Sequence, residues 1–204
     1  MKLVLATSNK GKLREFLRLF TELLPGLSLA LTLGSEIGLS EVEETGSTFA
    51  ANARIKATAA AAQCGRLSLA EDSGLEVDHL GGAPGVMSHR FSASGLDPDN
   101  NLLLLEKMKG VPPQKRTARY RSAICIASPA GIIAEAEGAV EGFIAEAEIG
   151  TNGFGYDPLF YSHELSKTMG EATAAEKDSV SHRRRAMEKI AGILRESGLA
   201  EEGS

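Results

Sequence analysis

Two cysteines, no long apolar run and no excess of positive charge close off several classes for this 204-residue chain. Cys64 and Cys125 stand in unlike contexts with no close pair, which argues against a zinc cluster or a dithiol redox motif. Acidic residues outnumber basic ones by 27 to 22, for a net charge of −5. That excludes a nucleic-acid binder held mainly by phosphate charge, while leaving room for a local basic pocket. The opening apolar run, 1–6, is too short for a signal peptide or a membrane span. The expectation is a cytoplasmic protein with reduced thiols and with neither nucleic acid nor membrane as a partner. The chain has no GxxxxGK[ST] and no GxGxxG, no Ser-His-Asp layout, no cysteine in an activating context, and no repeat, low-complexity segment or linker. Hydrophobic content of 43% and charged content of 24% are those of an ordinary soluble protein. The length fits one domain, 1–204, of two lobes, with a substantial core.

The chain is organised around 67–80, an apolar run that delivers Glu71 and Asp72, followed by Ser73-Gly74 and a second apolar-acidic run. A strand ending in Glu71 and Asp72 and turning at Ser73-Gly74 is the expectation. Carboxylates at a sheet edge are expensive unless something uses them. Side chains alternate along a strand, so one of the pair faces a cleft and the other faces solvent or backbone. The Gly- and Pro-rich segment 81–85 is a loop.

Taken in order, 2–6 reads as a buried strand leading into Thr7-Ser8-Asn9-Lys10-Gly11-Lys12. A helix follows, with Leu13, Phe16, Leu17, Phe20 and Leu24 at helical spacing, stopped at Pro25-Gly26. A strand, a polar loop and a helix start point backbone N–H groups at an anion, and two lysines sharpen that; a plain βα turn with solvated lysines is the other reading. A weak strand is expected over 27–33. Ser47 or Thr48 caps an Ala-rich helix from Phe49 to about Gln63, with Gly65 as its stop. Asn52 and Lys56 share a face of that helix, either toward solvent or toward the same cleft. Asp97 and Pro98 predict the start of a helix over 99–109. Strands are expected over 116–127, with Tyr120 and Ser122 on one side, and over 132–148, broken near Gly138 and Gly142. Arg119 and Arg121 read as exposed strand charges.

Gly153-Phe154-Gly155-Tyr156-Asp157 sets aromatics among glycines, where backbone approaches a planar ligand closely. Phe154 either stacks on a base or anchors a tight turn. Thr173 and Glu176 have capping-box spacing. Ser181 caps a last helix whose apolar stripe is Met187, Ile190, Ile193 and Leu194, and 199–204 reads as a frayed tail. Ser181-His182-Arg183 sits at that helix start, where Arg183, Arg184 and Arg185 oppose the dipole, which points to a polar or anionic ligand there.

The segments 7–12, Glu43-Glu44-Thr45-Gly46, 70–75, 81–85, 154–158 and Glu176-Lys177 through Ser181-His182-Arg183 occur together and in order. With them the chain closely resembles the inosine/xanthosine triphosphate pyrophosphatases, over nearly its whole length. The resemblance implies an α/β fold, a mixed twisted central sheet with flanking helices in two lobes and a cleft between them, usually as a homodimer. It implies hydrolysis of non-standard purine nucleoside triphosphates (ITP, dITP, XTP) to monophosphate and pyrophosphate, removing them from the nucleotide pool. By the same resemblance Thr7, Ser8, Asn9, Lys10, Gly11 and Lys12 contact the triphosphate, with Lys56 assisting. Asp72 binds Mg²⁺ and accepts the proton of the attacking water, Glu43 helps hold the metal with Glu44 as competitor, and Ser73 touches substrate. Phe154, Gly155, Tyr156, Asp157, Lys177, His182 and Arg183 line the base and sugar pocket. Glu71 departs from the second Asp of many bacterial members, which leaves the details of coordination open.

The residues agree with such a reaction on their own terms. Cleaving a phosphoanhydride needs charge neutralisation, a placed water and a metal. The chain supplies lysines at a βα turn and acids suited to Mg²⁺. A non-catalytic nucleotide sensor and a pyrophosphatase acting on modified pyrimidines are the competing functions.

Overall fold

Apolar residues at helical spacing and polar caps decide where the helices lie. In the computed structural model, which describes residues 1–199, Asn9 caps helix α1 (Lys10–Leu23), its side chain accepting from the N–H groups of Gly11 and Lys12. Phe16, Leu19 and Phe20 form its buried stripe. Thr48 caps α2 (Phe49–Cys64), accepting from the Ala51 N–H, and Gly65 ends it with φ of 67°. The strands placed around these two helices are β1 (Lys2–Leu5), β2 (Ala30–Leu33) and β3 (Ser68–Val77). Both β2 and β3 lie parallel to β1, with Leu3 opposite Leu31 and Leu5 opposite Leu69. Helix α3 (Asp97–Lys107) follows, then the long strands β4 (Thr117–Ser128) and β5 (Gly131–Ile144). Short strands β6 (Phe160–Ser162) and β7 (Lys167–Thr168) precede α4 (Ala174–Val180) and α5 (His182–Glu196). The seven strands form one mixed sheet in the order β2-β1-β3-β4-β5-β6-β7. The expected mixed α/β architecture is thus present. No helix among the described residues is long and apolar enough to cross a membrane.

The chain divides into two compact units. The first comprises 1–72, 122–138 and the chain from 185; the second comprises 73–121 and 139–184. The chain passes from one to the other within β3, β4, β5 and α5. Each unit has its own apolar core: Phe16, Phe20, Leu69, Ile124, Met187 and Ile190 belong to the first, and Leu75, Leu104, Met108, Val140, Ile144 and Phe160 to the second.

Four expectations from the sequence need correction. Ser73-Gly74 is not a turn: β3 runs unbroken through it. A Cβ at Gly74 would lie 2.3 Å from Ser88 Oγ, so the glycine makes room for a neighbouring segment instead of reversing the chain. Asp97 does not cap α3, which starts two residues early with Leu96 as its cap. The Asp97 carboxylate instead accepts the Gly155 N–H at 2.7 Å. Strand β5 is not broken at Gly138 or Gly142; at Gly142 the missing side chain admits Tyr161 O and the Phe160 ring of β6. Arg119 is not a lone exposed charge, because it pairs with Asp78 at 2.9 Å and with Glu141. The expected frayed tail lies, apart from Leu199, outside the described residues.

Candidate active site

In the first unit, β3 carries Glu71 and Asp72 into the interior, where they are only 5% and 9% exposed. Strand alternation sends them to different partners, and neither is left to solvent. Glu71 Oε2 meets the Lys12 ammonium at 2.8 Å. Its Oε1 accepts from Ser122 Oγ of β4 at 3.1 Å. Asp72 is held from α2: Asn52 Nδ2 donates to Oδ2 at 3.1 Å and Lys56 Nζ donates to Oδ1 at 3.0 Å. The same ammonium donates to Glu44 Oε1 at 2.6 Å. Asn52 is itself 1% exposed, and its Oδ1 accepts the Gly46 N–H at 2.8 Å. One asparagine therefore joins the acidic loop before α2 to the Asp72 carboxylate. The Ala-rich sequence of α2 permits this, since small side chains let Asn52 and Lys56 reach β3.

Burial raises the Asp72 pKa above the ordinary carboxylate value, and the Lys56 ammonium and Asn52 amide recover part of that shift. Burial also works against the Lys56 ammonium, but Asp72 and Glu44 more than offset it, and its pKa stands above the ordinary value. A buried carboxyl that resists ionisation, beside a lysine that favours it, suits a group that takes up a proton during a reaction.

The expected phosphate loop is built differently from an open ring of donors. Thr7 Oγ1 accepts the Asn9 N–H at 3.2 Å, and Asn9 Oδ1 accepts those of Gly11 and Lys12 at 2.7 and 3.1 Å. The loop is thus self-capped. Ser8, Asn9, Lys10 and Gly11 are exposed, whereas Thr7 and Lys12 are half-buried. Lys12 is the loop residue brought to the acidic pair.

Among the described residues no three His, Cys, Asp or Glu side chains converge as a metal cage. Magnesium carried with substrate phosphates needs only one or two protein carboxylates. Asp72 and Glu44, which share the Lys56 ammonium, have the right oxygen chemistry and fit that need. Glu43 is exposed, so of the two neighbours it is Glu44 that the fold brings to Asp72.

In the second unit, Asp157 is the hub of the glycine loop. Its Oδ2 accepts the Phe154 N–H at 2.9 Å and pairs with the Lys177 ammonium. Its Oδ1 accepts from the Tyr120 hydroxyl at 3.1 Å. Gly153, at φ of 80°, lies so close to Asp157 Oδ2 that a Cβ there would sit 2.0 Å away. Gly155 is pinned by Asp97 below its N–H and by Asn101 Nδ2 on its carbonyl. The loop presents Phe154 with 72% of its surface exposed, and Lys177 Nζ lies 4.6 Å from its ring centroid. Tyr156 is buried instead, its hydroxyl donating to Ser88 O. His182 opens α5, stacked on Tyr120 with ring centroids 5.2 Å apart, and Arg183 is buried beside it in sequence. Ser181 accepts the Arg184 N–H, as an N-cap does. Ser73 is half-buried on β3.

Residues that the sequence does not assign to the site are therefore Tyr120, Ser122, Asp97 and Asn101. Only the polarity of Ser122 and Tyr120 on one strand side hints at a role. Cys125 stays outside the chemistry: it is buried, and burial followed by Glu135 pushes its pKa to about 12.

A mixed α/β protein with a buried carboxylate–lysine cluster and an aromatic on a pinned glycine loop has the parts of a nucleotide-processing enzyme. The comparisons carry that class to a family. The description of the Ham1 family matches residues 3–193, and the chain belongs to that family. A protein of Desulforamulus reducens called dITP/XTP pyrophosphatase is 51% identical over 195 residues, spanning 95% of this chain and 96% of the relative. A Bacillus subtilis protein of the same name is 42% identical over 193 residues, 94% of this chain and 96% of its own. Among solved structures, a HAM1 protein from Coxiella burnetii superposes with a TM-score of 0.88 at 36% identity, covering 96% of this chain and 99% of that one. The Staphylococcus aureus Ham1 protein gives 0.87 at 36% identity, covering 97% and 100%.

Proposed function

We propose that this chain hydrolyses non-standard purine nucleoside triphosphates, ITP, dITP and XTP, to the monophosphate and pyrophosphate. One observation carries the chemistry: Asp72 is buried, held by Asn52 and charge-balanced by Lys56. The near-full-length likeness to proteins called dITP/XTP pyrophosphatase supports the substrate class.

In the first unit, Lys12 and Lys56 exchange their carboxylate partners for phosphate oxygens, and the half-buried setting strengthens those contacts relative to water. Asp72, released from Lys56, accepts the proton of a water as its oxygen bonds to phosphorus. The phosphoanhydride bond between the α and β phosphorus atoms breaks, and pyrophosphate leaves. Asn52 keeps Asp72 oriented throughout, and Glu71 is the resting partner of Lys12. Glu44 and Asp72 would hold Mg²⁺, with Glu43 a less favoured ligand because it is exposed. When bound, the ion neutralises phosphate charge and favours attack by water. Thr7, Ser8, Asn9, Lys10 and Gly11 border the triphosphate; Ser73, which belongs to the second unit, touches substrate.

In the second unit, Phe154 stacks on the base, with Gly155, Tyr156 and Asp157 shaping the loop beneath it. His182 and Arg183 supply donors for the 6-keto edge, and Lys177 lies on the sugar side of the pocket. A donor aimed at a keto oxygen meets the 6-amino group of adenine donor to donor, and an unmade buried donor costs about 1–3 kcal/mol. The enzyme works as a cytoplasmic homodimer. Incubation with ITP, XTP, GTP and ATP in Mg²⁺ is expected to release pyrophosphate, fastest from the first two; orthophosphate as first product, or equal rates on all four, would overturn it.

A further inference from the structure

We propose that Tyr120 is a positioning residue with two separable duties: its ring sets His182 for base choice, and its hydroxyl sets Asp157 for base-independent stacking. The inference rests on the reading of the second unit as the base pocket, and it goes beyond it by naming a residue that acts through His182 and Asp157.

Tyr120 lies on β4, is 9% exposed, and belongs to the core of the second unit. Its ring is nearly parallel to His182, at 17° between planes and 5.2 Å between centroids, and packs against Phe160 at 4.6 Å on a tilt. His182 is the first residue of α5, and the tyrosine face fixes the plane of its ring. The hydroxyl donates to Asp157 Oδ1, while Asp157 Oδ2 accepts the Phe154 N–H and pairs with Lys177. One rigid side chain in a β-strand thus connects the loop that carries Phe154 with the helix start that carries His182. Burial, and after it the Asp157 charge, hold the phenol pKa far above its ordinary value, so the hydroxyl remains a donor across the working pH range. The two connections act on different parts of a purine. Phe154 stacks on any base, whereas His182 addresses the edge where inosine and adenosine differ.

Tyr120→Phe keeps the ring and removes the donor. It is expected to lower kcat/KM for ITP and ATP together, several-fold each, with the ITP-to-ATP ratio held within about threefold. Tyr120→Leu removes the ring as well as the hydroxyl and is expected to shrink that ratio at least tenfold, through a further loss on ITP beyond the loss both nucleotides share. Combined with His182→Ala, Tyr120→Leu is expected to add nothing further to the loss of ratio, because the two changes act through one imidazole. A ring variant that lowers all nucleotides equally, or narrows the ratio equally with and without His182, would show a merely structural role and overturn the proposal. If Tyr120→Leu does not fold, Tyr120→Phe still decides: a collapsed ratio in that variant would place base choice on the hydroxyl and refute the division. A parental protein with equal rates on ITP and ATP would instead defeat the base-pocket reading itself, a result distinct from either.

Discussion

Replacing Asp72 by Asn separates the chemistry from the packing. Asn has the size of Asp but carries no charge and one acceptor in place of two. In the fold, Asp72 Oδ2 takes a hydrogen bond from Asn52 and Oδ1 takes one from Lys56. The substituted carbonyl keeps one of these, and the new amide meets a donor at the other. Losing a charge-assisted bond costs about 1.5–3 kcal/mol, and a buried donor left unmade about 1–3 kcal/mol. Against that, the ionised carboxylate no longer has to be buried, and burial is the main influence on its pKa. These terms oppose one another, so stability is expected to change by no more than about 2 kcal/mol, a Tm shift of under about 8 °C for a chain of this size. Activity has no such compensation. Loss of a proton acceptor lowers turnover by ~10²–10⁴, or roughly 2.7–5.4 kcal/mol on the barrier. Pyrophosphate release from ITP and a thermal melt on the same preparation measure both. A folded Asp72→Asn protein that turns over ITP within threefold of the parent would refute the role given to Asp72.

Lys12→Ala and Lys56→Ala are each expected to weaken ITP and ATP by similar factors, roughly 10–100-fold from one charge-assisted contact, leaving the ITP-to-ATP ratio unchanged; kcat/KM on both nucleotides checks this, and a changed base preference would contradict it. Glu176 closes the capping box of α4, and the Lys167 ammonium, then the Thr173 backbone and hydroxyl, hold its pKa down to about 2 from an ordinary 4.5. A depressed carboxylate stabilises the fold above its unfolded pKa and loses that contribution as pH falls through the folded one, so α4 is expected to fray between about pH 4.5 and 2. A carbon-detected titration of the Glu176 side chain follows this, and a midpoint near 4.5 would contradict it.

The parts of this molecule that are legible in the sequence are those decided locally. Thr48, Gly65, Thr173 and Ser181 mark helix ends because a cap needs only residues three or four apart. The stripe of α5 is visible for the same reason. Ser73-Gly74 misleads because its composition suits a turn, while its reason for being glycine is Ser88, a neighbour that only the fold supplies. Asp97 looks like a cap and serves the glycine loop far along the chain. Strands β6 and β7 are too short to leave a pattern. In the candidate site, Asp72 and the loop lysines stand out because charges directly after an apolar run are conspicuous. Tyr120 does not, since an aromatic on a strand is ordinary until Asp157 and His182 are seen beside it. Glu43 and Glu44 are indistinguishable in sequence; the reach of Lys56 from α2 distinguishes them.

Release of pyrophosphate from non-standard purine nucleotides in preference to standard ones is decided by initial rates of pyrophosphate formation by the unmodified protein, with ITP, XTP, GTP and ATP in turn and Mg²⁺ present. Pyrophosphate and monophosphate are expected in equal amounts, with kcat/KM for ITP and XTP far above that for ATP and GTP. Orthophosphate as the first product, or comparable kcat/KM for all four nucleotides, would contradict it.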